Sequence, residues 1–282
     1  MVRLHGQVRT SPQIYFDKTG EPLRAMVIIR VLRRPTNNQG FDAKIYLDNP
    51  IIRTRNKEMI EVLSQLKAND MVDVKGVLTS KEVNKKTICP ECGAEVINKG
   101  NIVYITPIFI CRREIGVSDG EGMRLLKERC EVSNEVDVIG NVCREPHYYT
   151  DGNGREYAQY QLAVNRRFHI KEDADEIRTD YPWIKTFGRQ ALEDSKHLRI
   201  GSSVYINGAL QTREIKRRSE CPSCFLEYEW NDAVTEIVPY YIGYLKNCMS
   251  ETDGSETSEA IETDLDMFDF DPSQSGRDPK EA

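Results

Sequence analysis

The chain has 282 residues with 39 Lys or Arg and 45 Asp or Glu, which gives a formal net charge of −6. At roughly 100 to 150 residues per domain this length fits two domains and a tail, and no apolar run approaches the ~18 residues that a membrane span needs. Because the N-terminal residues form no signal-peptide pattern, we expect a cytoplasmic protein with no membrane association, whose eight cysteines are thiols or metal ligands rather than disulfides.

The chain contains two copies of one sequence pattern. Val72–Leu78 recurs as Val204–Leu210, and the pair Cys89 and Cys92 recurs as Cys221 and Cys224, each 132 positions later. An offset that stays the same over such a distance indicates a tandem duplication. The predicted organisation is a first domain at residues 1–113, a partly helical linker at 114–133, a second domain at 134–248 and a disordered acidic tail at 249–282.

The second copy has the periodicity of short strands. Strand-like runs cover residues 136–142, 157–164, 183–187 and 203–213, and a fifth run begins at Val234. Residues 189–198 have helical spacing and are followed by Gly201, a helix-stop signal. Five short strands with a helix between the third and fourth describe an OB-fold barrel. The predicted fold class is therefore mainly β, with two tandem five-stranded OB-fold barrels, each with a short helix, and the acidic tail.

The second copy contains a series of short motifs, namely Val138–Val142 with Arg144–Pro146, Leu162–Phe168, Phe187–Ala191, Gly201–Val204 and Asn207–Arg213. In order and spacing these motifs resemble those of the bacterial-type single-stranded DNA-binding proteins. The first copy matches more weakly and lacks a clear Phe-Gly-Arg-Gln element, so it is a diverged copy. The resemblance implies a nucleoid-associated protein that binds single-stranded DNA regardless of sequence during replication, recombination or repair, and that is not an enzyme.

The residues of the second copy suit such binding on chemical grounds. Bases stack on aromatic rings at roughly 1 to 3 kcal/mol per base, while cations follow the phosphates. The family places its stacking aromatics at Phe168, Tyr181 and Phe187, and Trp183 either joins them or faces the core. The cations predicted nearby are Arg166, Arg167, Arg189 and Arg213.

The first copy offers fewer matching positions. Its predicted DNA-binding cations are Arg33 and Arg34, and its aromatic residues fit the family's stacking positions poorly, so we expect weak DNA binding and a role in pairing. Single-domain relatives assemble as groups of four barrels. The resemblance therefore implies a homo-oligomer, with a homodimer of this tandem chain giving four OB folds.

Each copy carries a Cys-x-x-Cys pair between its fourth and fifth strands. One pair cannot complete a tetrahedral zinc site, but two pairs supply the four thiolates of a closed structural site. We therefore expect Cys89, Cys92, Cys221 and Cys224 to bind one structural zinc ion, either between the copies of one chain or across two chains. The alternatives are that each pair recruits other ligands or remains a reduced dithiol.

Two other functional classes remain open from the cysteine pairs and the fold. A thiol oxidoreductase places the first cysteine of such a pair at a helix N-terminus after a strand, whereas both pairs here lie between strands, which disfavours redox catalysis. A zinc-stabilised OB-fold adaptor for protein contacts is the stronger alternative. It does not require the aromatic and basic residues of the second copy, so we favour DNA binding.

The acidic tail contains a candidate docking peptide. Residues 250–282 hold eleven Asp or Glu and two Lys or Arg, a local charge of −9, which leaves the body of the chain mildly basic. Acids there alternate with large apolar side chains, a pattern suited to a basic, apolar groove on DNA replication and repair proteins. The predicted docking residues are Leu265, Met267, Phe268 and Phe270.

Overall fold

A computed structural model describes residues 1–34, 45–152, 154–166 and 179–249. These residues are mainly in β-strands, as predicted. The strands are β1 Val2–Val8, β2 Gln13–Phe16, β3 Pro22–Arg33, β4 Tyr46–Asp48, β5 Ile51–Thr54, β6 Met71–Ile88, β7 Glu95–Glu114, β8 Asn134–Thr150, β9 Glu156–Asn165, β10 Thr179–Asp180, β11 Trp183–Phe187, β12 Ser203–Glu220 and β13 Glu227–Lys246. The helices are α1 Lys57–Ser64, α2 Asp119–Glu128, α3 Cys130–Ser133 and α4 Arg189–His197.

The second unit, β8 to β13, contains a closed five-stranded barrel. The strands pair in the cycle β8, β9, β11, β13 and β12, and β12 returns to β8. The pairing of β11 with β13 is parallel, with Ile184 opposite Ile237, and the other pairings of the cycle are antiparallel. Alternate residues face the inside, where Tyr160, Leu162 and Ile206 are fully buried. The closed barrel predicted from the strand pattern is confirmed.

The first unit, β1 to β7, repeats this order of pairing. Its cycle is β1, β3, β5, β7 and β6, again closed by antiparallel pairing of β6 with β1. The parallel step joins Ile52 of β5 to Ile105 of β7, each 132 positions before its counterpart in the second unit. The duplicated sequence therefore places equivalent residues at equivalent pairing positions.

The repeated glycines mark the place where two strands of each unit come closest. A β-carbon at Gly76 would lie 2.4 Å from the carbonyl oxygen of Thr106, and one at Gly208 would lie 2.4 Å from that of Val238. Both glycines sit beside a shift in strand register. Only glycine fits so close an approach without moving the neighbouring backbone.

The two units share one continuous sheet. β1 of the first unit pairs antiparallel with β8 of the second, with Val2 opposite Val136 and Leu4 opposite Asn134. The strands at the centre of the sheet therefore run in the order β13, β12, β8, β1, β6 and β7. Val2 and Val136 are fully buried at this junction, so the barrels meet through both backbone pairing and apolar packing.

Helices cover the ends of the sheets and the connection between the units. α1 is capped by Asn56, whose side chain accepts from the backbone N–H of Met59, and it buries Ile60 and Leu63. α2 begins after Ser118, whose side chain accepts from the N–H of Glu121. Among the described residues, no helix combines the length and the apolar character needed to cross a bilayer.

The hairpins that carry the cysteine pairs are longer than predicted. The sequence pattern ends the fourth strand at Arg213 and resumes at Val234, but β12 and β13 continue to pair as far as Glu220 opposite Glu227. This extension is exposed on alternate positions and contains many charged residues, so it lacks the apolar alternation by which a half-buried strand is recognised. We call residues 81–100 and 213–232, which form the matching extensions of the two units, the hairpin arm.

Candidate nucleic-acid interface and cysteine cluster

Three adjacent strands of the second unit carry a surface of rings and cations. β9 pairs with β8 on one side and with β11 on the other, so that residues of the three strands line up in rows across the sheet. Tyr149, Tyr157 and Phe187 form the first row. We call the surface the aromatic face and define it by Arg144, His147, Tyr149, Tyr157, Trp183, Lys185 and Phe187.

The rings of the aromatic face contact one another in sequence. Tyr149 stacks on Tyr157 with ring centroids 5.2 Å apart, and Phe187 meets Tyr157 edge to face at 5.3 Å. The ring centroids of His147 and Tyr149 are 5.6 Å apart. Such ring pairs stabilise one another beyond their burial, typically by about 0.5 to 1.5 kcal/mol. Tyr157 is buried beneath its neighbours, whereas Phe187 is 41% exposed and presents an accessible ring.

Cations lie over these rings. The Lys185 ammonium is 4.9 Å from the Tyr157 centroid and 5.9 Å from that of Phe187, and the Arg144 guanidinium is 5.5 Å from that of Trp183. Burial lowers the pKa of Lys185 to about 8, and nearby Arg213 acts in the same direction. The lowered pKa remains above neutral pH, and the surrounding rings favour the charged form of Lys185.

The structure places the described aromatic candidates on the outside of the barrel. Tyr181 is 44% exposed and directly follows β10, two residues before β11 begins. Trp183 is half-buried and lies on the aromatic face rather than in the core. Arg189 is exposed at the first position of α4, just beyond Phe187. Tyr181, Trp183, Phe187 and Arg189 thus lie along one stretch of surface.

Three arginines predicted to contact DNA instead make buried ion pairs. Arg166 donates to Asp180 at 2.8 Å, and both side chains are almost fully buried. Arg33 pairs with Asp48 at 3.1 Å in the first unit, and Arg213 pairs with Glu236 at 2.9 Å. The other first-unit candidate, Arg34, binds the carboxylate of Glu131 and lies 4.3 Å from the Tyr240 ring centroid.

The carboxylates of two of these pairs also bind the opposite unit. Asp48 accepts from the backbone N–H of Thr212, and Asp180 accepts from the N–H of Ser80, at 2.8 and 2.7 Å. Asp48 and Asp180 are 132 positions apart, as are Ser80 and Thr212. These reciprocal bonds show that Arg33 and Arg166 hold structural carboxylates that join the units.

Several predicted residues lie outside the described part of the chain. They are Arg167 and Phe168, which follow the described residues of β9 in the sequence, and Leu265, Met267, Phe268 and Phe270 near the end of the sequence. Their proposed contacts with DNA and with partner proteins remain predictions.

The sequence analysis missed four members of the aromatic face. They are His147, Tyr149, Tyr157 and Lys185, and a fifth member, Arg144, was noted only as part of the family motif and not as a DNA-binding residue. A signal for two of them was present, since Tyr149 and Tyr157 flank the Asp151–Gly154 turn at matching distances and a hairpin brings such residues opposite one another. Lys185 gave no signal, because a lysine in an alternating strand is usually a solvated residue.

The four cysteines of the repeated pairs come together at the tip of the hairpin arm, within one chain. Their four Sγ atoms all lie within 4.8 Å of one another. Two of the contacts join the hairpins, with Cys89 Sγ 3.6 Å from Cys224 Sγ and Cys92 Sγ 3.5 Å from Cys221 Sγ. Hydrogen bonds from the backbone N–H groups of Cys224 and Ser223 lower the pKa of the Cys221 thiol to about 6.

A family model matches the sequence of the second unit. Residues 133–224 match the Single-strand binding protein family. The resemblance predicted from the sequence is confirmed for this region, which is about a third of the chain and contains the aromatic face.

Individual relatives agree with this match. The single-stranded DNA-binding protein 1 of Staphylococcus aureus strain MSSA476 is 33% identical over 85 residues, which are 30% of this chain and 53% of the relative. The single-stranded DNA-binding protein of strain MRSA252 gives the same values. The chain therefore spans about half the length of these curated relatives.

The fold is similar to solved structures over most of the chain. The crystal structure of wild-type single-stranded DNA binding protein from Thermus aquaticus superposes with a TM-score of 0.55 at 17% identity, covering 91% of this chain and 97% of that one. A deletion mutant of the same Thermus aquaticus protein gives a TM-score of 0.54 at 16% identity, over 89% and 96% of the two chains. At these identities the likeness shows the fold.

Proposed function

We propose that this protein binds single-stranded DNA without regard to sequence, through the aromatic face of its second unit. The observation that carries the proposal is the chain of contacting rings from His147 through Tyr149 and Tyr157 to Phe187, with cations within 6 Å of ring centroids. The family match covers the same strands. Binding of this kind needs no catalytic group.

Base stacking supplies the larger part of the proposed affinity. Phe187 and Tyr181 each expose about two fifths of their surface, so each can stack on a base while its other face remains supported by the barrel. Stacking contributes roughly 1 to 3 kcal/mol per base and tolerates any base. The buried Tyr157 packs edge to face against Phe187 and restricts the orientation of its ring.

The exposed cations of this surface neutralise phosphates. These cations are Arg144 and Arg189, whereas Lys185 is buried beneath the rings and acts by holding them in place. Arg166 and Arg213 act indirectly in this proposal, because their guanidinium groups are already bound to Asp180 and Glu236. A small number of phosphate contacts predicts a moderate salt dependence, with a slope of about −0.7 per neutralised phosphate on a single strand.

The proposal extends to the protein's physiological setting. We propose that it coats exposed strands in the cytoplasm during replication, recombination or repair, that it assembles as a homo-oligomer, and that Leu265, Met267, Phe268 and Phe270 recruit replication and repair proteins. The acidic and apolar alternation of the tail supports the last point.

A fluorescence titration tests the DNA-binding proposal. The full chain is titrated with oligo-dT and with a duplex of equal length at two salt concentrations, and its aromatic emission is recorded. Tight binding of the single strand with quenched emission, and much weaker binding of the duplex, is the expected result. Equal affinity for both, or no binding of either, would contradict the proposal and favour a protein-contact role for the barrels.

A further inference from the structure

We infer that the tip of the hairpin arm is a zinc site, in which one Zn²⁺ ion bound by Cys89, Cys92, Cys221 and Cys224 clamps the two units of the chain together. The inference is independent of the proposed DNA binding, because the arm carries none of the residues that define the aromatic face. It rests on the positions of the four sulfurs, on their surroundings and on the weakness of the arm without a metal.

The sulfur positions fit a tetrahedral ion. Zinc binds thiolate at about 2.3 Å, which places four ligating sulfurs about 3.8 Å apart. Two of the separations between the hairpins are 3.5 and 3.6 Å, and all four sulfurs lie within 4.8 Å of one another. Four thiolates and no water form the closed set that is typical of a structural rather than a catalytic zinc.

The backbone around each pair forms the same tight turn. Gly93 N–H donates to the carbonyl of Cys89 at 3.0 Å, and Phe225 N–H donates to that of Cys221 at 2.9 Å. Gly93 and Phe225 both have a left-handed backbone, with φ of 71° and 59°. A phenylalanine rarely adopts this conformation, and it persists where surrounding interactions fix the turn. The second turn therefore keeps the shape of the first without its glycine.

The buried core of the tip is small. It consists of Cys89, Val96, Cys221 and Tyr228, and this cluster is separate from the main core of the barrels. Two of its four members are the proposed ligands. A tip with so small an apolar core gains little stability from burial, which is the situation in which small structures rely on a metal.

Polar contacts below the tip align the two hairpins. The Thr87 hydroxyl lies 2.6 Å from the Tyr228 hydroxyl, and the Ser219 hydroxyl donates to the Asn98 side chain at 2.7 Å. Lys85 of the first unit forms an ion pair with the buried Asp232 of the second. These contacts join the hairpins of the two units below the tip. The ion would join them at the tip itself.

The pairing of sulfurs argues against redox catalysis. In a dithiol oxidoreductase the two cysteines of one Cys-x-x-Cys motif react with each other. Here each motif also has sulfurs of the other hairpin at 3.5 and 3.6 Å, and the first cysteine of each motif, Cys89 and Cys221, is buried. An arrangement that crosses between motifs suits shared coordination of one ion.

Metal analysis of the full chain tests the composition of the site. Protein purified without chelator is expected to contain one zinc per chain, and metal-free protein titrated with Co²⁺ is expected to develop the visible absorption of a tetrahedral thiolate site at one equivalent. Cys92→Ser should abolish both signals, while Cys143→Ser, which alters a thiol outside the cluster, should leave both unchanged. Four free thiols that bind neither metal would overturn the inference.

Hydrogen exchange tests the clamp itself. Cys92→Ser changes only the first hairpin, so loss of a shared ion is expected to raise exchange at least tenfold in residues 214–231 of the second hairpin as well as in residues 81–100. Cys143→Ser is again the control. Faster exchange confined to the first hairpin, with the second unchanged, would refute a shared ion even if the protein contains zinc.

Discussion

The outer faces of the two units occupy equivalent positions in the fold but carry different side chains. Where the second unit has Tyr157, Lys185 and Phe187, the first has Arg24, Arg53 and Arg55. In the first unit Arg24 lies 4.0 Å from the Tyr15 ring centroid and Arg53 lies 4.8 Å from that of Tyr104. The second unit thus presents connected rings, whereas the first presents arginines set over single tyrosines.

This difference shows which parts of the duplicated domain are tied to folding and which are not. The buried carboxylate pairs and the close-approach glycines occur in both units. Every feature that the two units share therefore concerns packing or their mutual contact. The residues on the outer faces differ between the units because side chains on the outside of the barrel are less constrained by packing than those in the core.

The largest expected effect concerns a shared feature. Arg166→Ala leaves Asp180 buried without its cation, and Arg33→Ala does the same to Asp48. Removing one partner of a buried pair costs about 3 to 5 kcal/mol. Guanidinium unfolding should show a loss of this size for both variants. If only one of the two variants loses stability, the two buried ion pairs are not equivalent.

The next effect should distinguish the units. Phe187→Ala removes an exposed ring from the aromatic face and is expected to weaken oligo-dT binding by about 1 to 3 kcal/mol. The matched change in the first unit is Arg55→Ala, which removes no ring and should reduce affinity by less than about 1 kcal/mol. Equal losses in the titration would mean that both faces bind DNA in the same way.

A smaller effect follows from pH. Burial lowers the folded-state pKa of Lys185 to about 8, whereas the unfolded chain holds this proton up to about pH 10. Between these values the unfolded state binds more protons, so stability rises with pH. The free energy of unfolding should increase by up to about 2 kcal/mol from pH 8 to pH 9.5 through this group.

Two variants isolate the contribution of Lys185. Lys185→Met should remove the rise, as measured by denaturant unfolding at each pH. Arg53→Met in the first unit should leave the rise in place, because arginine does not titrate in this range. A rise that persists in Lys185→Met would assign it to another group.

The smallest effect compares the two cysteine turns. Gly93→Ala places a β-carbon in a left-handed backbone with no neighbouring atom within 4 Å, so the expected loss of about 1 kcal/mol comes from the backbone alone. Phe225→Gly removes a β-carbon from a left-handed backbone, so it should stabilise the arm by up to about 1 kcal/mol. Thermal unfolding of both variants checks this, and changes of the same sign would contradict it.

Local patterns in the sequence were sufficient for the fold. The alternation in Trp183–Phe187 and the helical spacing after Arg189 each depend on neighbouring residues, and the structure has a strand and a helix there. The Phe187 position followed from a motif of adjacent residues. Features of this range can be predicted because their physical cause lies within a few positions of the chain.

Features that depend on distant pairing could be predicted only in part. Nothing beside Arg213 in the sequence shows that Glu236 would bind it, so its charge was assigned to DNA. The meeting of Cys92 with Cys221 depends on the pairing of β1 with β8, at the other end of the hairpins. The presence of two pairs predicted a shared set of four thiolates, but nothing in their spacing shows that the set forms within one chain.

The seam between β1 and β8 has a consequence for how the protein responds to its own abundance. The seam is short, with three opposed residue pairs beginning at Val2 and Val136. Because both strands belong to one chain, each finds the other at an effective concentration on the order of millimolar, whatever the dilution. Dilution of the protein therefore lowers the concentration of paired units but does not separate a pair into single units.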